Sequence, residues 1–268
     1  MSSPVVYLHS KLGTLPAQES LQAYQVWWEA MGRALSETVD RAGTPWLRQH
    51  DRFGNRVDEL ITPAGYIALV QEAYKHGAVW RPIEQNDWAS SFALGYVTSY
   101  YDPGLYCPHT VSLSTAAPLS KYGTEPLKAR YLTPMLRRDG VAWQGATWMT
   151  EVRGGSDLGA NVHTLAAPDG DAYRLIGDKY FCSNVNAELA VVAARPQGAP
   201  DGVRGLALFL VPRYREDGGL NYFIRRIKDK IGTRAVITGE VELRESVGYL
   251  LGSVEVGVYL ILEVLNIS

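Results

Sequence analysis

The sequence lacks several features by which common protein classes are recognised. Its 268 residues include two cysteines, Cys107 and Cys182, which lie far apart and have no metal-ligand spacing. The five histidines are scattered in the same way, so we predict no metal site. So little cysteine suits a reducing compartment, and no charged region followed by an apolar core opens the chain. We therefore expect a cytoplasmic protein without a secretory signal.

Nucleotide-binding signatures and long apolar runs are also missing. Neither Gly-x-Gly-x-x-Gly nor Gly-x-x-x-x-Gly-Lys occurs, which argues against a Rossmann cofactor site and a P-loop. With 26 basic and 28 acidic side chains, the net charge is −2, so no overall field attracts nucleic acid or an anionic membrane. The most apolar segment, residues 254–268, is shorter than the roughly 20 residues that span a bilayer. We expect no membrane partner.

One basic cluster stands out against this balanced charge. Residues 225–230 read Arg-Arg-Ile-Lys-Asp-Lys and could contact phosphate or DNA. Asp229 interrupts the cluster, and no aromatic platform accompanies it in the sequence. We therefore interpret it as a solvated loop, and this chain gives no support for DNA as a partner.

The first half of the chain has helical periodicity. A composition of 46% hydrophobic and 20% charged residues is enough for one large or two small globular domains. Residues 1–15 and the charged segment 45–60 are interpreted as irregular. Apolar spacing and capping residues predict helices at 17–41, 62–76, 88–101, 110–122 and 124–137.

After Gly140 the period changes to two. Candidate strands lie at 141–149, 161–167, 171–177, 179–183, 188–195, 204–212, 220–227 and 236–244. Regular short strands of this kind indicate a barrel or a sandwich. We predict an α+β fold with an all-helical domain at 1–140, a β-barrel or sandwich at 141–253, and an apolar helix beginning at 254–268.

The segment from Trp148 to Asp157 lies close to the change of period. A partly apolar strand ends there in Gly154, Gly155 and Ser156. Paired glycines let another molecule approach the backbone closely, and Ser156 with the neighbouring amides could hold a phosphate. Thr150 adds a hydroxyl that both donates and accepts. Taken alone, Gly-Gly-Ser-Asp is interpreted as an ordinary turn.

Three motifs follow one another along the second half of the chain. Residues 150–157 read Thr-Glu-Val-Arg-Gly-Gly-Ser-Asp, and residues 177–184 read Gly-Asp-Lys-Tyr-Phe-Cys-Ser-Asn. Residues 230–234 read Lys-Ile-Gly-Thr-Arg. In order and spacing they resemble the acyl-CoA dehydrogenase flavoproteins, whose middle domain carries Thr-Glu-x-x-x-Gly-Ser-Asp, Gly-x-Lys-x-aromatic-x-Thr/Ser-Asn and Lys-x-Gly-x-Arg. Within that family the alkylation-response, AidB-like branch is similar at residues 48–58 and at Cys-Pro-His-Thr, residues 107–110.

The resemblance implies an FAD site. Thr150 corresponds to a threonine whose hydroxyl meets the N5 edge of the flavin, and Met149 to a position whose backbone faces its pyrimidine end. Gly155 and Ser156 match the loop that holds the cofactor's pyrophosphate. Phe181 takes the place of a stacking tryptophan. Ser183 replaces a threonine whose hydroxyl reaches a phosphate or ring oxygen.

Each of these residues also has a structural interpretation. Thr150 could be a strand-end threonine bonded to backbone, and the side chains of Met149 and Phe181 could be ordinary core residues. Thr147 departs from the family, where many members have tyrosine, so no flavin contact is assigned to it. The histidines are interpreted as surface or hydrogen-bonded core residues.

The resemblance further implies a C-terminal four-helix domain beyond residue 254, which would carry the catalytic glutamate, the adenosine contacts and the tetramer core. We expect the chain to be the N-terminal and middle portion of such a protein, and we assign no catalytic residue in it. Glu263 is interpreted as a solvent-facing helix residue. Expected partners are an acyl-CoA-type molecule in the full-length protein and a second copy of the chain, forming a homo-oligomer.

Three functions remain open at this point. The first is an FAD-dependent acyl-CoA dehydrogenase-like oxidoreductase acting on CH–CH groups. The second is a protective flavoprotein of the AidB type that binds DNA or a partner. The third is a module that has lost flavin binding.

Overall fold

The computed structural model describes residues 3–268, apart from the side chain at position 42. The α-helices are α1 (Pro4–Leu12), α2 (Gln18–Trp27), α3 (Arg33–Glu37), α4 (Tyr66–His76), α5 (Trp80–Gln85), α6 (Trp88–Tyr101), α7 (Tyr106–Tyr122), α8 (Glu125–Leu127), α9 (Thr133–Met135), α10 (Leu158–Asn161) and α11 (Gly257–Ile267). The strands are β1 (Trp46–His50), β2 (Arg56–Ile61), β3 (Gly145–Trp148), β4 (Leu165–Asp169), β5 (Ala172–Ser183), β6 (Leu189–Pro196), β7 (Ala207–Pro212), β8 (Phe223–Ile227) and β9 (Thr238–Leu251). The π-helical turn Trp28–Gly32 joins α2 to α3, and the π-helical turn Thr38–Ala42 extends α3, so that residues 18–42 form one helical segment.

Five strands close into a ring. β6 pairs with β4, β4 with β5, β5 with β9, β9 with β7, and β7 again with β6. β3 extends the ring by pairing with β6, and β8 by pairing with β9. The α+β prediction is confirmed, and of the two predicted β architectures the structure has the barrel.

β6 and β7 are almost entirely apolar because both faces of each strand are buried. Side chains point alternately to the two faces of a strand. In β6, Ala190, Val192 and Ala194 pack inside the barrel, while Leu189, Val191 and Ala193 pack against the helical layer. Every residue of β7 is buried in the same alternating way. These strands therefore join the barrel to the helices through two hydrophobic cores, one on each face.

The helical layer is built around large aromatic side chains. Tyr24, Trp28, Tyr66 and Tyr74 are fully or almost fully buried among α2, α4, α6 and α7. The hydroxyls of Tyr24 and Tyr74 find partners, as in the hydrogen bond of 2.9 Å between the hydroxyls of Tyr24 and Thr98, whereas the indole N–H of Trp28 has none among residues 3–268. Aromatic spacing at helical periodicity therefore did mark the core of this layer.

α7 connects the helices to the start of the barrel. Its Ser112 hydroxyl accepts the backbone N–H of Gly145 at 2.8 Å, and its Thr115 hydroxyl donates to the carbonyl of Ala146 at 3.0 Å. A side chain on Gly145 would lie only 2.5 Å from Thr115. Small residues on α7 let β3 approach closely, and their hydroxyls bond the strand edge that β6 leaves open.

α11 presents two different faces. Leu260, Ile261 and Val264 are buried against α7 and β7, whereas Tyr259, Leu262 and Leu265 are exposed. Glu263 forms an ion pair with Lys121 at the edge of the buried face rather than pointing freely into solvent. Among residues 3–268, no helix has the length and apolar character needed to cross a membrane.

Two segments predicted as irregular are regular. Residues 4–12 form α1, which starts at Pro4, with the Ser3 hydroxyl accepting the N–H of Val6 at 3.3 Å. Residues 46–61 form the β1–β2 hairpin around a turn held by Asp51, whose side chain accepts the N–H groups of Phe53 and Asn55. Both predictions of irregular structure were therefore wrong.

Several predicted bounds also change. The α4 helix begins at Tyr66 after Gly65, whose φ is +92°, so Thr62 and Pro63 do not open it. α5 was not predicted, and α7 starts at Tyr106 because Pro108 fits the first turn of a helix. The two strands predicted at 171–177 and 179–183 form the single strand β5. The domain boundaries at 140 and 253 stay a prediction.

Candidate functional site

The first two motifs meet where β3 ends against β5. The N–H of Tyr180 donates to the carbonyl of Thr150 at 2.9 Å. Close to this hydrogen bond, the indole N–H of Trp148 donates to the carbonyl of Ser183 at 3.2 Å. Thr150, Phe181 and Ser183 therefore lie in one neighbourhood, as motif order predicted. It borders the helical layer through Met149, whose side chain is buried in the helical core.

Gly155 folds back onto Thr150. The chain turns tightly between them, with the N–H of Gly154 donating to the carbonyl of Glu151 at 3.0 Å. A methyl group on Gly155 would lie 2.5 Å from the Thr150 hydroxyl oxygen. Glycine is required here by this close approach. Within residues 3–268 no hydrogen bond to the Thr150 hydroxyl is present, so the interpretation as a strand-end threonine bonded to backbone is wrong.

Phe181 is held in an unusual conformation. Its φ is +56°, in the left-handed region that non-glycine residues seldom adopt, and its side chain is 54% exposed. The register of β5 against β9 shifts between Lys179 and Cys182, which places the bulge at Tyr180 and Phe181. The ring meets Tyr180 edge-on at 4.6 Å, and the Lys228 ammonium lies 3.3 Å from its centroid. The interpretation of Phe181 as a core residue is therefore wrong.

Ser183 adjoins a small cavity. Its hydroxyl lies 3.5 Å from that of Thr238 on β9, and Thr238 lines a cavity of about 170 Å³ together with Lys228, Lys230 and Arg234. Lys230 donates to the carbonyl of Val236 and, at 3.4 Å, to the Thr238 hydroxyl. Burial lowers the pKa of Lys230 below its ordinary value. The third motif therefore lies against the second.

Cys107 of the Cys-Pro-His-Thr segment also reaches this neighbourhood. Burial raises the pKa of its thiol, while the Lys230 charge and a hydrogen bond with Ser183 act in the opposite direction. The thiol is consequently protonated at neutral pH. It is a polar neighbour of Ser183 rather than a reactive thiolate.

The remaining predicted residues take different positions. Ser156 lies on the exposed surface of the loop, next to Asp157, which caps α10 by accepting the N–H of Ala160 at 3.1 Å. The carbonyl of Met149 accepts a hydrogen bond from the Lys179 ammonium at 3.4 Å. The Thr147 hydroxyl bonds that of Ser114 on α7 at 3.0 Å, so it joins the two layers.

Most basic side chains of the 225–230 cluster already have partners elsewhere in the chain. Arg225 forms an ion pair with Asp178 at 2.9 Å, and Arg226 bonds Glu240 through its Nε at 2.9 Å. Lys228 lies over the aromatic rings of Tyr180 and Phe181. In the fold, β5 brings these rings to the cluster from a distant part of the sequence.

His109 contradicts the interpretation of the histidines as surface or hydrogen-bonded core residues. It is 3% exposed, and neither ring nitrogen has a hydrogen-bond partner among residues 3–268. Burial lowers the pKa of His109 to about 3, so the ring is neutral at physiological pH. It packs between the rings of Tyr74 and Tyr106.

One feature of the site escaped the sequence analysis. Lys179 and Glu151 form an ion pair of 2.7 Å in which the lysine side chain is completely buried. Both residues belong to the quoted motifs, and Lys179 lies in the middle of β5. Burial is a property of the folded chain, so the pattern alone did not reveal the pair.

The neighbourhood offers the kinds of contact that a flavin nucleotide needs. It offers an exposed aromatic ring at Phe181, hydroxyls at Thr150 and Ser183, and a glycine turn open to solvent at Ser156. Ring stacking, hydroxyl contacts to a heteroaromatic edge and backbone amides near a phosphate are the contacts that such a cofactor needs.

Comparison with known proteins identifies the family. The acyl-CoA dehydrogenase middle-domain model matches residues 146–246, and the model of the adaptive response protein AidB N-terminal domain matches residues 9–139. The chain belongs to the acyl-CoA dehydrogenase family. Its N-terminal part is of the AidB type.

Individual relatives agree with this assignment. The chain is 33% identical over 241 residues to acyl-CoA dehydrogenase family member 11 of Caenorhabditis elegans, covering 84% of this chain and 39% of that protein. It is 29% identical over 255 residues to the putative acyl-CoA dehydrogenase AidB of Escherichia coli, covering 88% and 46%. The structure of Caenorhabditis elegans ACDH-11 in complex with C11-CoA superposes with a TM-score of 0.83, at 28% identity over 98% of this chain and 47% of that one. The chain thus spans less than half the length of these relatives.

Proposed function

We propose that this chain is the flavin-binding portion of an FAD-dependent acyl-CoA dehydrogenase-like oxidoreductase acting on CH–CH groups. The observation that carries the proposal is the meeting of Thr150, Gly155, Phe181 and Ser183 at one exposed edge of the barrel. Membership of the acyl-CoA dehydrogenase family supports FAD as the cofactor. When bound, FAD supplies a hydride acceptor for the β-carbon of the substrate.

The residues divide into those that face the ring and those that face the phosphates. Phe181 would stack on the isoalloxazine, and the free hydroxyl of Thr150 would contact its edge. Met149 would face the ring through its backbone, and Ser183 would add a second hydroxyl. Gly155 and the exposed Ser156 would hold the pyrophosphate through amides and a hydroxyl.

Substrate and catalysis belong to the whole protein and are proposals here. An acyl-CoA is the substrate class we propose, because a similar protein was solved with C11-CoA. We assign no catalytic base among residues 1–268. General-base catalysis contributes typically 10²–10⁴-fold. We therefore expect no acyl-CoA turnover by residues 1–268 alone, and weak FAD binding, since the proposed contacts cover the flavin and pyrophosphate but not the adenosine.

An AidB-type flavoprotein with a different partner is the second candidate. The match of residues 9–139 to the AidB N-terminal domain favours it. The basic cluster does not favour DNA as that partner, because Arg225 and Arg226 already pair with acidic side chains. The third hypothesis, a module without flavin, is opposed by the free hydroxyl of Thr150 and the exposed ring of Phe181.

We also propose that the chain self-associates through the exposed face of α11. Tyr259, Leu262 and Leu265 lie side by side there and are 69%, 51% and 44% exposed. Exposed apolar side chains grouped on one helix favour association. The molar mass in solution should fall when Leu262 and Leu265 are both replaced by serine. An unchanged mass would contradict association through this face.

Two measurements test the function. Titration with FAD, followed by the change in flavin absorption and fluorescence, should show weak saturable binding that Phe181→Ala reduces. Absence of binding at any FAD concentration would favour the third hypothesis. Reduction of an electron acceptor with a panel of acyl-CoAs, using a protein extended to the length of its relatives, separates the first candidate from the second.

A further inference from the structure

The buried ion pair Glu151–Lys179 adjoins Thr150 on the interior side of the proposed flavin site. We propose that it is a positioning device that sets the distance and orientation of Thr150 relative to Phe181, an inference that rests on the proposed flavin function. Neither residue touches the ligand space, because the Lys179 side chain is completely buried and that of Glu151 is 8% exposed. Both act through their neighbours in the chain.

Lys179 forms hydrogen bonds with the residues on both sides of Thr150. Its ammonium donates to the carboxylate of Glu151 at 2.7 Å and to the carbonyl of Met149 at 3.4 Å. Met149 and Glu151 are the two residues that flank Thr150 in sequence. One residue further along β5, the N–H of Tyr180 donates to the carbonyl of Thr150 itself. Three successive residues after β3 are therefore fixed by two successive residues of β5.

Glu151 is fixed in turn by a third segment. Its Oε1 accepts the N–H of Thr164 at 3.0 Å and the hydroxyl of Thr164 at 2.6 Å, and its Oε2 accepts the N–H of His163 at 2.7 Å. Burial alone would raise the pKa of this carboxyl, yet the Lys179 charge and these donors outweigh it and lower the pKa. Glu151 is accordingly a charged, fully bonded carboxylate.

A stability role is a poor explanation for such a pair. Replacing a buried ion pair by apolar residues of similar volume is often neutral or stabilising, whereas the pair's directional bonds specify one arrangement. Here the arrangement joins the two motifs that carry Thr150 and Phe181. The geometry points to orientation of the site as the effect of the pair.

The deciding variant replaces both partners with apolar residues, Glu151→Leu with Lys179→Met. We expect it to fold, while the amide of Tyr180 exchanges with deuterium at least tenfold faster and FAD affinity falls at least tenfold. The absorption bands of bound flavin should also shift from their wild-type positions. The single variant Glu151→Gln should show the same three effects, provided that it folds.

Asp58→Asn is the matched control. Asp58 is equally buried, pairs with Arg56 at 3.0 Å and accepts the N–H of Ile224 at 2.7 Å, but it lies in the β1–β2 hairpin. It should lower stability without changing Tyr180 exchange or the spectrum of bound flavin. A double variant with wild-type Tyr180 exchange, FAD affinity and spectrum would overturn the positioning role.

The two proposals fail in different ways. If the wild-type chain binds no FAD, the proposed function fails, and Tyr180 exchange alone then decides whether the pair orients Thr150. If the wild type binds FAD and the double variant binds it equally well, the function stands and the positioning role falls.

Discussion

The two ends of the 150–157 motif are built in opposite ways. At one end, Glu151 is buried and takes part in four hydrogen bonds that tie the chain to β5 and to residues 163–164. At the other end, Ser156 is exposed and lies in a turn between two glycines and a helix cap. The buried end is fixed before any ligand arrives, whereas the exposed end keeps its donors available. A binding site needs both properties, and the motif separates them by five residues.

The largest expected effect is on the buried end. Lys179→Met leaves the Glu151 carboxylate buried without its cation and should cost about 3–5 kcal/mol of unfolding free energy. Urea denaturation measures this loss. Arg225→Met is the control, because it breaks the exposed pair with Asp178 on the same strand and should cost less than about 1 kcal/mol. Equal losses in the two variants would remove the distinction between the buried and exposed ends.

A smaller loss is expected where the two ends touch. Gly155→Ala places a methyl group 2.5 Å from the Thr150 hydroxyl oxygen and should cost about 1–3 kcal/mol through overpacking. Adding Thr150→Ala removes the two shortest contacts and leaves only the one of 3.2 Å to Cβ, so the double variant should recover most of the lost stability while FAD binding stays weak. Recovery of FAD binding in the double variant would show that Thr150 is not a flavin contact.

The pH dependence of stability should differ between wild type and Glu151→Gln. The folded pKa of Glu151 is lowered below the ordinary value of about 4.3, so its contribution is present above that pH and is lost as pH falls through the folded pKa. The stability difference between the two proteins should be constant above about pH 5 and shrink below it. His109, with its pKa lowered to about 3, also destabilises the fold in acid because the unfolded histidine takes up a proton near pH 6.5.

Both proteins carry His109, so the comparison cancels its contribution. Urea denaturation at each pH unit from 3 to 7 provides the test. A difference that is independent of pH in the acid range would contradict the charged state assigned to Glu151.

The smallest effect on stability is expected at the exposed end. Ser156→Ala should change unfolding free energy by less than about 0.5 kcal/mol, because the side chain is at the surface. FAD affinity should nevertheless fall by about tenfold or more, since a hydrogen bond to a charged group contributes about 1.5–3 kcal/mol. Unchanged affinity would remove Ser156 from the proposed pyrophosphate site.

The elements that followed from the sequence are those with strong periodicity. α6, the barrel strands and the segment from residue 18 to residue 42 were predicted because their apolar residues repeat at helical or strand spacing. The β1–β2 hairpin was missed because its residues are mostly polar and charged. Hydrogen bonds with β8 hold the hairpin in place. Gln49 and Arg56 donate to the carbonyl of Ile224, and Asp58 accepts the N–H of the same residue.

The site shows the same limit. Motif order was enough to predict that Thr150 and Phe181 come together, because each motif marks the end of a strand. The cation over Phe181 and the buried partner of Glu151 come from register and bulging in the sheet, which depend on the pairing of distant strands. Sequence patterns describe which residues share a face, while contacts across strands require the fold.

Hydrogen exchange of the wild-type chain with and without FAD tests the central claim most directly. We expect FAD to slow exchange at the amides of Gly155, Ser156 and Phe181, and to leave the amide of Tyr180 unchanged because its bond to Thr150 is already formed. Protection confined to another part of the chain, or none at saturating FAD, would contradict a flavin site at this edge of the barrel.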